Sequence, residues 1–247
     1  MSTLTTGKRT LLTLSALLAV STAFAGGKLP ISSQGLVLWI QKVPTGIKTR
    51  DLSGNKNNAQ TTSLIVSNSP SLVSMQDTHQ LTLAMWMKPN SIPDEFPVPI
   101  SKGGYNTPGA DGGYELNLNW NGDNDLIFLS GNYQAETAGA NGSLINNHLG
   151  EWIHVVVTVD TAAQVIQFYV NGQAYPNITS FGSLADVNFN VTNNLYIGEP
   201  DPAANVNRAP YDGEMQDVMV FNRTLSADEV QTLFTATTPG AKPGRRR

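Results

Sequence analysis

The stretch DLSGNKNN, residues 51–58, carries an oxygen-bearing side chain at every second position. Calcium binds about six to eight oxygen ligands from side chains of this kind and from backbone carbonyls. An EF-hand is excluded, because the twelfth position of the loop is Thr62 where an EF-hand has a bidentate glutamate. A calcium-binding loop and a polar turn of the Asx type are therefore both compatible with the pattern. Its oxygen-bearing residues are Asp51, Ser53, Asn55 and Asn57.

Carboxylates that could catalyse glycoside hydrolysis are not paired in a recognisable way. A retaining glycosidase needs two carboxyl groups about 5 Å apart. The residues two and four positions after Glu115, on the same face of the predicted strand, are Asn117 and Asn119, so this face has no second carboxyl group. Glu214 and Asp217 are an odd number of positions apart, so in a regular strand they point to opposite faces. The sequence therefore favours a protein without glycosidase activity.

Other catalytic patterns are equally weak. His79, His148 and His154 lack the spacing of an HExxH zinc site, and there is no cysteine to act as a nucleophile. A polysaccharide lyase needs a tyrosine or histidine base near an arginine or asparagine, and Arg208 and Tyr211 offer only closeness in sequence. A hydrolase or lyase with an unrecognised site remains an alternative.

Alternation of apolar and polar residues recurs from residue 36 to residue 221, and helical periodicity is almost absent. Many short strands without helices between them predict an antiparallel sandwich or barrel. In YELNLNW, residues 114–120, the alternation predicts one apolar face in the core and one solvent-facing side that holds Glu115, Asn117 and Asn119. VVVTVD, residues 155–160, is apolar on both faces, which predicts a covered central strand.

The ends of the chain differ from this pattern. Lys8 and Arg9 precede a short apolar run, and an A-x-A motif ends at Ala25, so we expect residues 1–25 to be a secretory signal peptide. The predicted product is secreted, periplasmic or extracellular. A linker (26–34), one domain (35–234) and a disordered Pro/Gly/Arg tail (235–247) are expected to follow. Near the end of the domain Ser226 and Glu229 form a capping box, which predicts one short helix.

Composition narrows the partners. The formal net charge is −4, which argues against nucleic acid, because phosphate binding needs a basic surface. No stretch after the signal peptide is apolar enough to span a membrane. The absence of cysteine excludes disulfides, which many bacterial exported proteins also lack.

Several stretches together resemble a known family. In their order and spacing they resemble the laminin-G-like branch of the concanavalin A-like lectin/glucanase superfamily. The resemblance implies an all-β jelly-roll sandwich of two antiparallel sheets, one convex and one concave, with the last strand beside the first. It thus implies that DLSGN and DGEMQD lie close together. The stretches are GLVLWI, DLSGNKNNAQ, LTLAMWMKP, PISKGG, YELNLNW, LGEWIHVVVTVD, IQFYVNGQ, LYIGEP and DGEMQDVMVFNRTLSADEVQTLF.

The resemblance also implies a structural calcium ion, held by an N-terminal loop and the last strand. On this chain the implied ligands are Asp51, Asn55 and Asp217. The family usually has an acidic residue where this chain has Gln216, and the neutral amide is expected to weaken the site. Structural calcium and a plain turn both stay open.

A sugar-binding module needs aromatic rings for pyranose faces and polar groups for hydroxyls. Tyr105, Tyr133 and Tyr211 lie in predicted Gly/Asn-rich loops, and Asn117 and Asn119 lie on the predicted wet face. We therefore predict an exported, non-catalytic module that binds a polysaccharide or surface glycan. A structural or protein-adhesion component of an envelope or extracellular assembly, which binds a protein partner or assembles with itself, is the alternative.

Overall fold

The structure, a computed structural model, is an all-β sandwich of antiparallel sheets with little helix. The predicted fold class is therefore confirmed. Residues 1–25 and 241–247, which hold the predicted signal peptide and most of the predicted tail, lie outside the described residues. No helix within the described part is long and apolar enough to cross a membrane. The described residues are 28–43, 50–57, 59–60, 64–92, 96–104, 112–118, 126–131, 133–137, 144–203 and 208–240.

Strands are the main regular structure of the described chain. Two α-helices accompany them, α1 (Met75–Thr78) and α2 (Ala227–Thr237). In chain order the strands are β1 (Leu36–Lys42), β2 (Ala59–Gln60), β3 (Leu64–Val66), β4 (Gln80–Pro89), β5 (Phe96–Val98), β6 (Ile100–Gly104), β7 (Gly112–Leu118), β8 (Leu126–Ser130), β9 (Tyr133–Thr137), β10 (Ile153–Asp160), β11 (Val165–Val170), β12 (Gln173–Tyr175), β13 (Asn177–Phe181), β14 (Leu195–Ile197), β15 (Arg208–Pro210) and β16 (Gly213–Phe221).

Two large sheets enclose the main core. The smaller sheet has the order β1-β16-β4-β10-β11-β12, and the larger sheet has the order β13-β9-β8-β7-β6-β14-β3-β2. Leu83 and Val157 of the smaller sheet share one cluster of buried side chains with Leu116 and Phe128 of the larger sheet. A separate parallel pair, β5 with β15, forms a third sheet.

The first and last strands are neighbours, as the resemblance implied. β1 pairs antiparallel with β16, and Trp39 lies opposite Met219. The central strand β10 is buried on both faces, because Val155 and Val157 belong to the main core while Val156 belongs to a second apolar cluster. The continuous valine run predicted this covered position.

Helix α2 covers the outer face of the smaller sheet. Its capping box forms, with Ser226 and Glu229 each accepting from the other's backbone N–H. Its buried apolar residues, Val230 and Leu233, belong to the second cluster. At its C-terminal end Thr237 Oγ1 accepts a hydrogen bond from Trp86 Nε1 at 2.7 Å. His154 lies beneath the helix against the rings of Trp86 and Phe234, with centroid distances of 5.0 and 6.0 Å. His154 is thus a packed structural residue.

The folded unit extends past the predicted limits of 35–234. Leu29, from the predicted linker, is buried in the second cluster, and α2 continues to Thr237. The physical reason is the apolar outer face of the smaller sheet, which includes Trp39 and Met219. Leu29 and α2 both contribute apolar side chains to the cluster that covers this face.

Candidate functional site

A row of side chains crosses the outer face of the larger sheet from strand to strand. Antiparallel pairing sets Ile65 opposite Tyr196, Tyr196 opposite Ser101, Ser101 opposite Glu115, and Glu115 opposite Leu129. The residues on either side of Tyr196 in β14 belong to the main core. Because side chains alternate along a strand, Tyr196 and its partners in the row face away from the core.

Glu115 is the centre of a buried polar group in this row. Its Oε1 accepts hydrogen bonds from Arg208 Nε and Asn117 Nδ2, both at 2.7 Å. Its Oε2 accepts from Ser101 Oγ at 3.3 Å. Burial raises the pKa of Glu115, and the charge and hydrogen bond of Arg208 oppose that rise. Ser101, Glu115, Asn117 and Arg208 are called the outer-face cluster below.

The outer-face cluster is covered by the parallel β5–β15 pair. Arg208 opens β15, and its guanidinium lies over the ring of Phe96 in β5, 5.2 Å from the centroid. The side chains of Glu115 and Arg208 are only 1% and 5% exposed. The prediction that Glu115 and Asn117 face solvent is therefore wrong, because strands distant in sequence pack over that face.

The amide of Asn117 is only partly satisfied. The residue is fully buried, and its Nδ2 donates to Glu115, while its Oδ1 has no hydrogen-bond partner among the described residues. Buried polar atoms without a partner are rare in folded proteins and cost about 1–3 kcal/mol. The outer-face cluster thus contains an acceptor that a hydroxyl or amide donor would satisfy.

A second polar network adjoins the first. Asp201 Oδ2 accepts from Asn193 Nδ2 at 2.7 Å, and the backbone N–H of Asp201 donates to Ser101 Oγ at 3.3 Å. Lys102 Nζ donates to Asn68 Oδ1 at 2.8 Å and to two backbone carbonyls. Burial lowers the pKa of Lys102 to about 8, and the charge of Asp201 opposes this. The network fixes the segments before and after β14 against β6.

The other predicted ligand-binding residues do not join this cluster. Tyr211 is 8% exposed and packs in the main core, and burial raises its pKa. Tyr105 and Asn119 lie outside the described residues, and of Tyr133 only the backbone, at the start of β9, is described. Binding roles for these residues remain predictions. Burial leaves Tyr211 little surface for a ligand.

The DLSGN loop is organised around the carboxylate of Asp51. Its Oδ1 accepts from the backbone N–H groups of Trp39 and Ser53, at 2.9 and 2.8 Å. Its Oδ2 accepts from the Asn57 N–H at 3.0 Å and from Ser53 Oγ at 2.7 Å. Asp51 is 4% exposed, so its charge is held by donors from its own loop and from β1. This pattern is that of an Asx turn.

Trp39 connects Asp51 to Asp217, the predicted calcium ligand in the last strand. Its indole Nε1 donates to Asp217 Oδ1 at 2.9 Å, while its backbone N–H donates to Asp51. Asp217 lies at an irregularity in the pairing of β16 with β4 and has a φ of 48°. Burial raises the pKa of Asp217 to about 6. DLSGN and DGEMQD therefore meet at Trp39, as expected.

In this arrangement Asp51 and Asn55 do not present oxygen atoms in the way that a calcium ligand set requires. Both Asp51 oxygens face N–H or O–H donors, and Asn55 turns its amide nitrogen toward the carbonyls of Leu36 and Val37. Within the described residues no three His, Cys, Asp or Glu side chains form a group that could hold a metal. The geometry favours the turn, and calcium at Asp51, Asn55 and Asp217 stays a prediction.

A melting experiment distinguishes the turn from the calcium site. We expect the same melting temperature with calcium and with a chelator. Asp51→Ala is expected to cost about 2 kcal/mol in both conditions, because hydrogen bonds to a buried charged group are lost. A rise in melting temperature with calcium that disappears in Asp51→Ala would contradict the turn, because a ligand bound to the folded state stabilises it.

Several residues of the site were missed by sequence reasoning. Tyr196 was recognised only as part of a strand, although in LYI it is the position that alternation turns away from the core. Lys102 in PISKGG interrupts an otherwise apolar and small stretch, which is a signal for a buried charge. Arg208 was noted only for its closeness to Tyr211. Nothing in the sequence pairs it with Glu115, 93 positions away.

Comparison with known proteins supports the architecture. Solved structures of similar fold include the binding domain of botulinum neurotoxin DC in complex with SialylT, at 14% identity and a TM-score of 0.56, covering 84% of this chain and 52% of that chain. A structure of botulinum neurotoxin type C, whose cell entry depends on two ganglioside molecules, has 15% identity, a TM-score of 0.52 and coverages of 83% and 52%. Trypanosoma rangeli sialidase has 19% identity, a TM-score of 0.53 and coverages of 89% and 36%.

Sequence identities this low show a similarity of fold only. The chain spans about half the length of the toxin structures and about a third of the sialidase. No curated protein matches the chain. The family model for the concanavalin A-like lectin/glucanases superfamily, in its laminin G form, matches residues 55–231. That match covers most of the chain, and the jelly-roll sandwich agrees with it: the chain belongs to the concanavalin A-like lectin/glucanases superfamily.

Proposed function

We propose that the protein is an exported, non-catalytic module that binds carbohydrate through the outer face of its larger sheet. The family fold supports this proposal, and so do two of the structural neighbours. One is a botulinum neurotoxin binding domain in complex with SialylT, and the other is a botulinum neurotoxin whose cell entry depends on two ganglioside molecules. The outer face carries a partly exposed aromatic ring, Tyr196, with the half-buried polar side chains of Asn194 and Glu199 beside it, and sugar recognition needs both elements.

The observation that carries the non-catalytic part is the state of two carboxylates among the described residues, Glu115 in the outer-face cluster and Asp201 in the adjoining network. A glycosidase nucleophile must have an oxygen free to attack, and its acid partner must lie about 5 Å away with room for the scissile bond between them. Glu115 uses both oxygens, one for Arg208 and Asn117 and the other for Ser101. Asp201 accepts hydrogen bonds from backbone N–H groups and from Asn193. Both carboxylates therefore act as acceptors inside the fold.

Export is proposed from the signal-peptide pattern of residues 1–25. A glycan-binding module in the envelope or outside the cell would meet polysaccharide or glycoconjugates there. A protein partner is the competing interpretation, and one of the structural neighbours is a botulinum neurotoxin binding domain in complex with a synaptotagmin.

The test is a glycan array paired with a turnover assay on the same glycans. Binding without new reducing ends and without unsaturated uronates is the expected result. New reducing ends or unsaturated uronates would contradict the non-catalytic proposal and favour a hydrolase or lyase. A blank array combined with self-association or capture of a purified envelope protein would favour the adhesion role.

A further inference from the structure

Tyr196 and Ile65 form an apolar pair on the outer face that neither core uses. They lie directly opposite each other in the pairing of β14 with β3. Both side chains are partly exposed, and neither belongs to or packs against the two buried apolar clusters. Partly exposed hydrophobic residues elsewhere, such as Tyr175 and Ile166, do pack against the main core. The Tyr196–Ile65 pair therefore does little for the core packing of the fold.

The pair lies at the open end of a polar row. Ser101 and Glu115 follow Tyr196 across the sheet but are buried and engaged inside the fold. The polar side chains beside the ring that are open to a ligand are the half-buried Asn194, which hydrogen-bonds Tyr196, and Glu199. A pyranose has an apolar face of C–H groups and a rim of hydroxyls, so it suits a tyrosine ring that is bordered on one side by hydrogen-bonding groups. An extended flat apolar partner would instead need a larger apolar patch than two side chains provide.

The surroundings of Tyr196 are electrostatically negative. Burial is the largest cause that raises the pKa of Tyr196. The charges of Asp201 and Glu199, which follow Tyr196 in the chain, raise it further. The nearby cations are already committed, Arg208 to Glu115 and Lys102 to three oxygen acceptors. An acidic sugar would bring a carboxylate into this field, where these two cations of the described residues already have partners.

We propose that Tyr196, with Ile65 beside it, is the stacking platform of a subsite for a neutral pyranose in a glycan chain. The inference rests on the proposed carbohydrate-binding function and narrows it to one site and one ligand class. It differs from a sialylated or uronic acid ligand, which would need a free arginine or lysine.

The experiment measures the affinity of the protein for two named sets of probes. The neutral set contains gluco-, xylo-, manno- and galacto-oligosaccharides, and the acidic set contains sialyllactose and oligogalacturonate. We expect binding within the neutral set, a loss of about tenfold in Tyr196→Ala, and near-normal affinity in Tyr196→Phe, which keeps the ring. Tyr175→Ala is the matched control, because it removes a partly exposed tyrosine from the edge of the other sheet.

The outcomes separate the two proposals. Neutral-glycan binding that Tyr196→Ala leaves unchanged overturns the platform and leaves the proposed function standing. Binding restricted to the acidic set overturns the neutral ligand class, also without touching the proposed function. No binding to either set overturns both. Melting curves confirm that each variant folds, and Ile65→Ser, which removes the other half of the pair, is expected to weaken binding if Tyr196→Ala does not fold.

Discussion

Arg208→Met is expected to lower the free energy of unfolding by about 3 kcal/mol at neutral pH, because it leaves the Glu115 carboxylate buried without its cation. The ion pair is short, 2.7 Å, and almost completely shielded from water. Glu115→Gln should be destabilising for the converse reason, since Arg208 then keeps a buried charge. The measurement is chemical denaturation of the wild type, both single variants and the double variant.

The double variant makes this prediction specific to the pair. Removing both charges should cost at least about 2 kcal/mol less than the sum of the single changes. Lys88 and Glu214 provide the control, because they form an ion pair of 2.8 Å whose side chains are 30% and 61% exposed. Lys88→Met is expected to cost less than about 1 kcal/mol. Additive effects at Glu115 and Arg208 would mean that the two side chains do not interact energetically.

Acidification is expected to destabilise the protein through His154. Burial lowers the pKa of His154 to about 3, so the folded state keeps this ring neutral while the unfolded chain, with a value near 6.5, takes up a proton. Stability is therefore lost as the pH falls from about 6.5 toward 3. The contribution of this residue between pH 7 and pH 4 is about 3 kcal/mol.

His154→Phe tests this prediction, because phenylalanine keeps a ring against Trp86 and Phe234 but cannot take up a proton. The variant should lose about 3 kcal/mol less stability than the wild type between pH 7 and pH 4. His148→Gln, which removes a histidine at a partly exposed position, is the control for loss of a histidine outside the core. Parallel curves for His154→Phe and wild type would show that His154 is protonated in the folded state as easily as in the unfolded chain.

Asp217 should produce the opposite trend in part of the same range. Its pKa is raised to about 6, so between about pH 6 and 4 the folded state binds a proton that the unfolded chain does not. This residue therefore favours folding as the pH falls. Asp217→Asn would remove that trend, and asparagine also tolerates the positive φ of 48° at this position. The His154 experiment is therefore done with Asp217 unchanged.

Alternation predicted the core-facing side of the strands but not what covers the other side. Tyr114, Leu116 and Leu118 are buried in the main core, as YELNLNW indicated. The same pattern put Glu115 and Asn117 in water, because alternation reports which side faces the core and carries no information about a second layer. That layer comes from β5 and β15, two parallel strands that pair with each other although about a hundred residues separate them in the sequence.

The candidate site depended on contacts that a single sequence does not reveal. The meeting of DLSGN with DGEMQD was predictable from the family resemblance, and the structure adds that Trp39 bridges them. Oxygen-rich spacing at residues 51–57 could not distinguish ligands from turn acceptors, because the difference lies in where the N–H donors of β1 point. Tyr196 could be identified only once pairing showed that its side chain shares a face with Ser101 and Glu115.

Mapping of backbone amide chemical shifts by NMR, during titration with a neutral oligosaccharide that the array identifies, tests the central claim most directly. Binding at the outer face of the larger sheet predicts that the largest shifts fall on β3, β14 and β6, around Ile65, Tyr196 and Ser101. The sugar should remain intact throughout. Shifts confined to the DLSGN loop, to α2 or to the smaller sheet would contradict the account, and so would cleavage of the oligosaccharide during the titration.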